Sequence, residues 1–268
     1  MKVEQLYTYH LKSGRGMHQT SVKISETGFS NDRTIAILDV NNKVITGRDY
    51  PQLLGINSTI RDNELILNLN ALDTHRFILP ELTQDTIAVK LFRNTVLGHL
   101  FKQEANELIS DFLQGQFRLV YIGNYFRPLL KSRGGKDGDT TGYADSSPVH
   151  LINLKTLQYL NTSLKEKVTT RHFRPNIVVD GNAAFEEDSW AIIEINGIRF
   201  RLQEKTQRCI FTTIDPNTYK KSEKLQPLSS IAAIRAKFSQ RPTFGIGLVP
   251  SENGTIAVED KIKIIETL

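Results

Sequence analysis

Short stretches in which apolar and polar residues alternate recur along the first hundred positions. KVEQLYTY (residues 2–9) alternates imperfectly, TIAILDV (34–40) is a compact apolar run, and NNK turns the chain into VITGR (44–48). ELILNLNAL (64–72) and DTIAVKLF (85–92) alternate clearly. A period of two puts one side of each stretch against a core, which predicts strands. Many short strands separated by turn signals predict a barrel or a sandwich.

The period changes at residues 102–114, KQEANELISDFLQ. Ala105, Leu108, Ile109, Phe112 and Leu113 share one helical face there, and Gly115 supplies a stop. FRLVYIG (117–123) returns to a strand. Residues 127–148 are polar and glycine-rich with no period, the pattern of a functional lid or of a linker at a domain seam. LINLKTLQYLNTSL (151–164) predicts a short helix opened by Asn153. NIVVDG (176–181) reads as a buried strand, and WAIIEINGIRFRLQE (190–204) as two strands joined by a type I′ turn at Asn196-Gly197. CIFTTI (209–214) is expected to continue the strands before a turn at DPNT. Residues 228–237 predict a helix, and GTIAVEDKIKII (254–265) a closing strand pair. The expected class is β-rich α+β, with a barrel-like second half (121–268) packed on a strand-rich, barrel-like first half (1–120).

Composition changes this picture little. With 39% apolar and 24% charged residues, the 268-residue chain is that of a soluble globular protein. No apolar run reaches the roughly 20 residues of a membrane span, and MKVEQLYTYHLKSGRG lacks a secretory apolar segment. A cytoplasmic, reduced location is the resulting expectation. The net charge of +5 suits nucleic acid, an acidic surface or an anionic cofactor, or reflects an ordinary solvated surface.

Cysteine use changes it more. Cys209 is the single cysteine, so an internal disulfide, a zinc ribbon and an iron–sulfur cluster are excluded. The thiol is either a small hydrophobe at the start of a strand or a nucleophile or ligand favoured as thiolate by Arg208. In RHFRPNIVVDG (171–181), Pro175 fixes the backbone between Arg174 and Asn176. A guanidinium there binds phosphate in two-point fashion and an amide reads a heterocycle, unless Arg174 simply pairs with an acid such as Asp188. Ser146 and Ser147 either donate to a phosphate or satisfy a turn. Lys12, Ser13 and Arg15 lie in a glycine-bounded basic loop without the spacing of a Walker motif. Arg33 and Arg48 flank strands, where a salt bridge explains either. The six histidines show no trusted ligand spacing, no G-x-S-x-G elbow occurs, and GIG (245–247) is too short for a dinucleotide loop.

Taken together and in order, HFRPNIVVDG, EEDSW and RCIFTTIDP, with YADSSPVHLI and LKSGRG, resemble the MOSC family. These are molybdenum-cofactor-binding proteins related to the carboxy-terminal domain of molybdenum cofactor sulfurases. The resemblance covers nearly the whole chain, including the β-barrel domain that precedes MOSC in the subgroup of amidoxime-reducing components. It implies that Cys209 binds molybdenum, with the pterin dithiolene and oxo groups completing the coordination. It implies cofactor contacts for Lys12, Ser13, Arg33, Ser146, Ser147, Arg174, Asn176 and Arg208, and places Asp215 on the substrate side. LKSGRG lacks the family's usual proline before the lysine-serine pair. With no further cysteine up to Leu268, no ferredoxin domain is expected, nor the membrane anchor of eukaryotic members.

The function so implied is a molybdenum oxidoreductase that reduces N-hydroxylated compounds: amidoximes, hydroxylamines and N-hydroxylated base analogues. Electrons would come from a separate flavoprotein, ferredoxin or cytochrome, with the basic loop at 127–142 as a docking segment or a plain linker. The alternative is a carrier or sulfuration-related protein that holds the cofactor without turnover. A nucleic-acid binder ranks below both, because no aromatic interleaving accompanies the basic residues.

Overall fold

The computed structural model describes residues 1–69, 73–83, 85–238 and 240–268. The last three positions of the alternating stretch 64–72 therefore lie outside the described residues. Among the described residues the chain is strand-rich with three α-helices, and its strands form one large sheet and several small ones.

The large sheet has eight strands, in the order Met17–Gln19, Val3–Thr8, Ile177–Val179, Val149–Asn153, Thr243–Pro250, Ile198–Gln207, Trp190–Ile195 and Ile262–Thr267. Its neighbours are antiparallel except Val149–Asn153 and Ile177–Val179, which run parallel. A parallel pair needs a crossover, and α2 (Leu154–Thr162) lies within it. Both strands of the pair are buried along their length, as expected of a continuous apolar run. Three further strands, Gly254–Ala257, Ser21–Ser25 and Gly28–Phe29, form a smaller sheet. The two sheets contribute to one core containing Val3, Leu6, Phe29, Leu151, Trp190, Phe200 and Ile256. Strands from the first 29 residues thus share sheets and a core with strands of the second half.

Residues 35–121 carry a four-stranded antiparallel sheet, in the order Ile35–Leu38, Arg118–Tyr121, Asn94–Leu100 and Thr86–Leu91. A meander of Asn57–Arg61, Glu64–Asn68 and His75–Ile78 lies beside it in sequence. α1 (Gln103–Leu113) buries Ala105, Ile109 and Leu113 in a core with Ile35, Leu53, Leu65 and Leu119. The helix stops at Gln114, which takes the left-handed backbone (φ 56°), one residue before the expected Gly115. Asn106, absent from the expected apolar face, is buried because its amide accepts from Leu119 N–H and donates to the Phe101 carbonyl.

Local sequence rules hold at several other places. Asn153 caps α2 by accepting from Lys155 N–H at 2.8 Å, and α3 covers Leu228–Ala236. Asn196 and Gly197 both have positive φ, 47° and 79°, as a type I′ turn requires. Three expectations fail: VITGR is no strand, with only isolated bridges at Lys43 and Val44. CIFTTI is not a strand: Ile210–Thr213 is a 3-10 helix. The Arg208 N–H bonds to Pro242, and the Thr212 and Thr213 hydroxyls bond back to the carbonyls of Cys209 and Ile210, which favours a helical turn. Nor do the last strands pair with each other. Gly254–Ala257 joins Ser21–Ser25, whereas Ile262–Thr267 joins Trp190–Ile195.

Glu187 is fully buried beside the start of α2, accepting from the Thr156 hydroxyl at 2.8 Å and from the Asn153 amide at 3.1 Å. Burial raises its pKa from 4.5 to about 7, although the Thr156 bond opposes the rise. The folded state then holds this proton more tightly than the unfolded chain. Its stabilisation is complete below pH 4.5 and disappears as pH climbs to about 7. At about 1.4 kcal/mol per pH unit between the two values, the loss is a few kcal/mol. Glu187→Gln should therefore gain on the wild type in denaturant stability as pH rises through this window. Parallel stability curves for the two proteins would show that Glu187 is already ionised when folded.

Candidate functional site

A cavity of about 560 Å³ opens where segments from both parts of the chain meet. The loop 12–13, Arg33 and the segment 46–48 line one part. Residues drawn from the segments 144–150, 173–176 and 203–212, Glu204 not among them, line the other. All nine residues expected to bind cofactor or metal line it: Lys12, Ser13, Arg33, Ser146, Ser147, Arg174, Asn176, Arg208 and Cys209. Asp215 does not. Its carboxylate accepts from the Asn217 and Thr218 N–H groups at 2.8 and 2.7 Å, which closes the DPNT turn.

The thiol sits in an exposed position at the entry to the 3-10 helix. Arg48 Nη2 approaches Cys209 Sγ at 3.5 Å. Gly47 permits this, because a Cβ there would lie 2.5 Å from the Phe211 ring. The Gly47 N–H also donates to Ser13 Oγ at 3.0 Å. Ser13 thus fixes the loop that delivers Arg48.

Three site residues have left-handed backbone: Ser13 (φ 63°), Arg33 (φ 50°) and Arg174 (φ 53°). Such angles are uncommon without glycine, and here close packing holds them. The Arg33 and Arg174 guanidiniums both lie 4.2 Å from the centroid of the Tyr9 ring. Burial pushes the Tyr9 hydroxyl up to about 12, so it remains neutral. Arg174 also donates to the Gly14 carbonyl. Asp188, the alternative partner for Arg174, is paired with Arg235 and Lys205 instead. Asn176 is 1% exposed; its Oδ1 accepts from Arg33 at 3.0 Å and from His150 N–H at 3.1 Å, and its Nδ2 donates to Tyr7 at 3.2 Å. Its amide organises the wall more than it reads a ligand.

Eight cationic side chains line the cavity against one carboxylate, Asp145. Arg33 pairs with Asp32, Lys12 and Arg48 share Asp145, and Arg133 approaches Glu204 at 3.8 Å. Arg93, Arg127, Arg174 and Arg208 have no ion pair among the described residues. Burial lowers Arg174 and Arg208 to about 10, which leaves both charged at neutral pH. Burial and the adjacent Arg208 hold His150 well below 6.5, so it adds no charge. Partial desolvation opposes ionisation of Asp145, but Lys12 and Arg48 bring it down to about 2. Buried side-chain atoms without a partner gather here: Arg127 Nε, Arg174 Nη2, Gln203 Oε1, Thr206 Oγ1 and Arg208 Nε. Unpaired buried charge is costly. A wall so built fits a polyanionic, hydrogen-bonding group.

Sequence reasoning passed over Asp145, Arg127, His150 and Tyr9, and read Arg48 as an ordinary ion-pair residue. Asp145 was legible as the neighbour of the two serines. Arg127 was grouped with an exposed docking loop, but it is 6% exposed and donates to the Ala144 carbonyl at 2.7 Å. Ser147 reaches the cavity because Gly247 has no side chain; a Cβ there would lie 1.8 Å from Ser147 Oγ.

Fold and site together define a β-rich protein that surrounds one exposed thiol with a cationic wall. The chain belongs to the MOSC family, matching the MOSC domain over residues 138–263 and the MOSC N-terminal beta barrel domain over residues 1–116. It is 30% identical over 281 residues to mitochondrial amidoxime-reducing component 1 of Homo sapiens, spanning 98% of this chain and 82% of that protein. To mitochondrial amidoxime reducing component 2 of Rattus norvegicus it is 28% identical over 279 residues, 97% of this chain and 82% of that one. A solved structure, the YUAD protein from Bacillus subtilis, aligns over 97% of this chain and 93% of its own, with 11% identity and a TM-score of 0.44.

If the wall binds anions, inorganic pyrophosphate should raise the Tm of cofactor-free protein above that in sodium chloride of equal ionic strength. Arg174→Ala should weaken pyrophosphate roughly tenfold or more, the loss expected for one charge-assisted bond of about 1.5–3 kcal/mol. An equal pyrophosphate response in both proteins would give Arg174 a purely structural role.

Proposed function

We propose that this protein is a reductase of N-hydroxylated compounds that works with a molybdenum cofactor held in the basic cavity. The observation that carries the reading is the exposed Cys209 thiol set among arginines whose buried nitrogens lack partners. Membership of the MOSC family and likeness to proteins named amidoxime-reducing components support it.

When bound, the cofactor supplies a two-electron centre that accepts the oxygen atom of an N–O bond. The overall change is R–NHOH with two electrons and two protons giving R–NH2 and water. In this reading Cys209 is the soft thiolate ligand of the metal. Arg174, Arg208 and Arg33 hold the anionic part of the pterin, while Ser146 and Ser147 donate to its polar edge and Lys12 adds charge from below Phe92. Asn176 keeps Arg33 and the His150 strand in register. The wall orients the cofactor and supplies electrostatics, and the cofactor carries the chemistry.

Electrons come from a separate redox protein, and the exposed thiol side leaves the cavity mouth accessible to one. Both sides of the expected division near residue 120 supply the site, in a reducing, cytoplasmic setting suited to a lone exposed thiol. No described helix is long and apolar enough to cross a membrane.

Protein made in a host that synthesises the cofactor should carry stoichiometric molybdenum and pterin and reduce benzamidoxime with a chemical or flavoprotein donor. Bound cofactor without turnover under any donor would replace this reading with that of a carrier. Cys209→Ser should keep the circular dichroism spectrum and Tm but lose nearly all turnover, because a protonated hydroxyl is a poor ligand beside thiolate. Most of the turnover surviving in that variant would remove Cys209 from the metal.

A further inference from the structure

An anionic cofactor explains the cations of the cavity wall but not its one carboxylate, which opposes binding of an anion. Asp145 immediately precedes the two cavity serines and accepts from Lys12 Nζ through one oxygen and from Arg48 Nη2 through the other, at 3.1 Å. Its side chain nevertheless stays 54% exposed, whereas Lys12 is buried beneath it. A carboxylate offers about four acceptor sites, so those two bonds leave acceptor capacity on the exposed side. The Arg48 nitrogen that touches Asp145 is also the one 3.5 Å from Cys209 Sγ. The carboxylate and the thiol therefore lie two hydrogen-bond lengths apart, across a single guanidinium. The charged groups around them are donors. A ligand that itself brings N–H donors meets its charged acceptor at Asp145.

We propose that Asp145 is a specificity-determining residue, accepting hydrogen bonds from an amino group on the carbon that bears the N–O function. This favours amidoximes and related N-hydroxylated amidines over N-hydroxylated compounds with no neighbouring N–H. The inference rests on the reductase reading and names the substrate feature that its site selects. Lys12 and Arg48 hold the carboxylate in place, and Arg48 fixes its position relative to the thiol. The competing role is that of a counter-ion for those two cations, with no contact to substrate.

The test uses molybdenum-loaded protein and two substrates: benzamidoxime, and its analogue with two methyl groups on the amino nitrogen. The N–O bond is the same in both, but the analogue has lost the amino N–H donors. The wild type should prefer benzamidoxime. Asp145→Asn should lower kcat/KM for benzamidoxime by about tenfold to a hundredfold, the cost of one charge-assisted bond. The loss should fall mainly on KM, and the preference between the two compounds should collapse. Asp145→Glu should restore part of it.

Molybdenum content normalises the rates. Should Asp145→Asn lose cofactor, Asp145→Glu carries the comparison, since moving the charge must still change the preference. Calorimetric binding of benzamidine to loaded protein without reductant should weaken in parallel, by about tenfold. An unchanged preference and unchanged benzamidine affinity in both variants would overturn the inference while leaving the reductase reading intact. A wild type that reduces neither compound overturns the reductase reading, and this inference falls with it.

Discussion

The amide of Asn176 is the joint on which the architecture turns. Through its side chain and backbone it bonds to Tyr7, to His150 and to Arg33. Those residues belong to the first strand of the chain, to the first member of the parallel pair and to the loop that enters the four-stranded sheet. A buried amide whose groups are satisfied by three separate segments tolerates little displacement of any of them. It holds Arg33 against Tyr9, and Tyr9 in turn seats Arg174. The position of the cationic wall follows from one residue that carries no charge.

The protein assembles so much positive charge by choosing the partners of its arginines. Carbonyl oxygens of Gly14, Phe173 and Ala144, together with the faces of Tyr9 and Phe173, receive Arg174, Arg208 and Arg127. Dipoles and ring quadrupoles orient a guanidinium without cancelling its charge. Asp32 takes only Arg33, and Asp188 pairs with Arg235 and Lys205, neither of which lines the cavity. Arg127, Arg174 and Arg208 therefore stay oriented and electrically open to a ligand.

The parts of this arrangement that follow local rules were legible in the sequence. The Asn196-Gly197 turn, the Asn153 cap and the apolar face of α1 follow from conformational preferences of a few residues. The basic and hydroxyl residues of the site were legible through recurring signatures, and they do converge on the cavity. What stayed hidden depends on distant partners. The strands at 254–257 and 262–267 pair outwards because Ser21–Ser25 and Trp190–Ile195 offer free edges, which no local pattern encodes. CIFTTI has a strand's composition, but its two threonine hydroxyls bond backwards once the ladder ends at Gln207. Arg48 acquires meaning only when Gly47 packs on Phe211, a contact across more than half the chain. Asp215, placed on the substrate side by the resemblance, uses its carboxylate to close its own turn.

Val3 pairs with Val179, and Lys2 bridges to Lys261. During synthesis the first strand can pair at once with Met17–Gln19, but its other partner is made some 170 residues later, and loops of that span close slowly. Tyr9, Lys12 and Ser13 follow that strand directly, so the cationic wall cannot come together around Cys209 until most of the chain has been translated. A nascent chain thus has no finished pocket to load. On the proposed reading, an anionic cofactor would enter after translation, where its binding would stabilise a native state that otherwise confines unmatched charge. Its cellular supply would then set how much of this protein persists, as well as how much of it works.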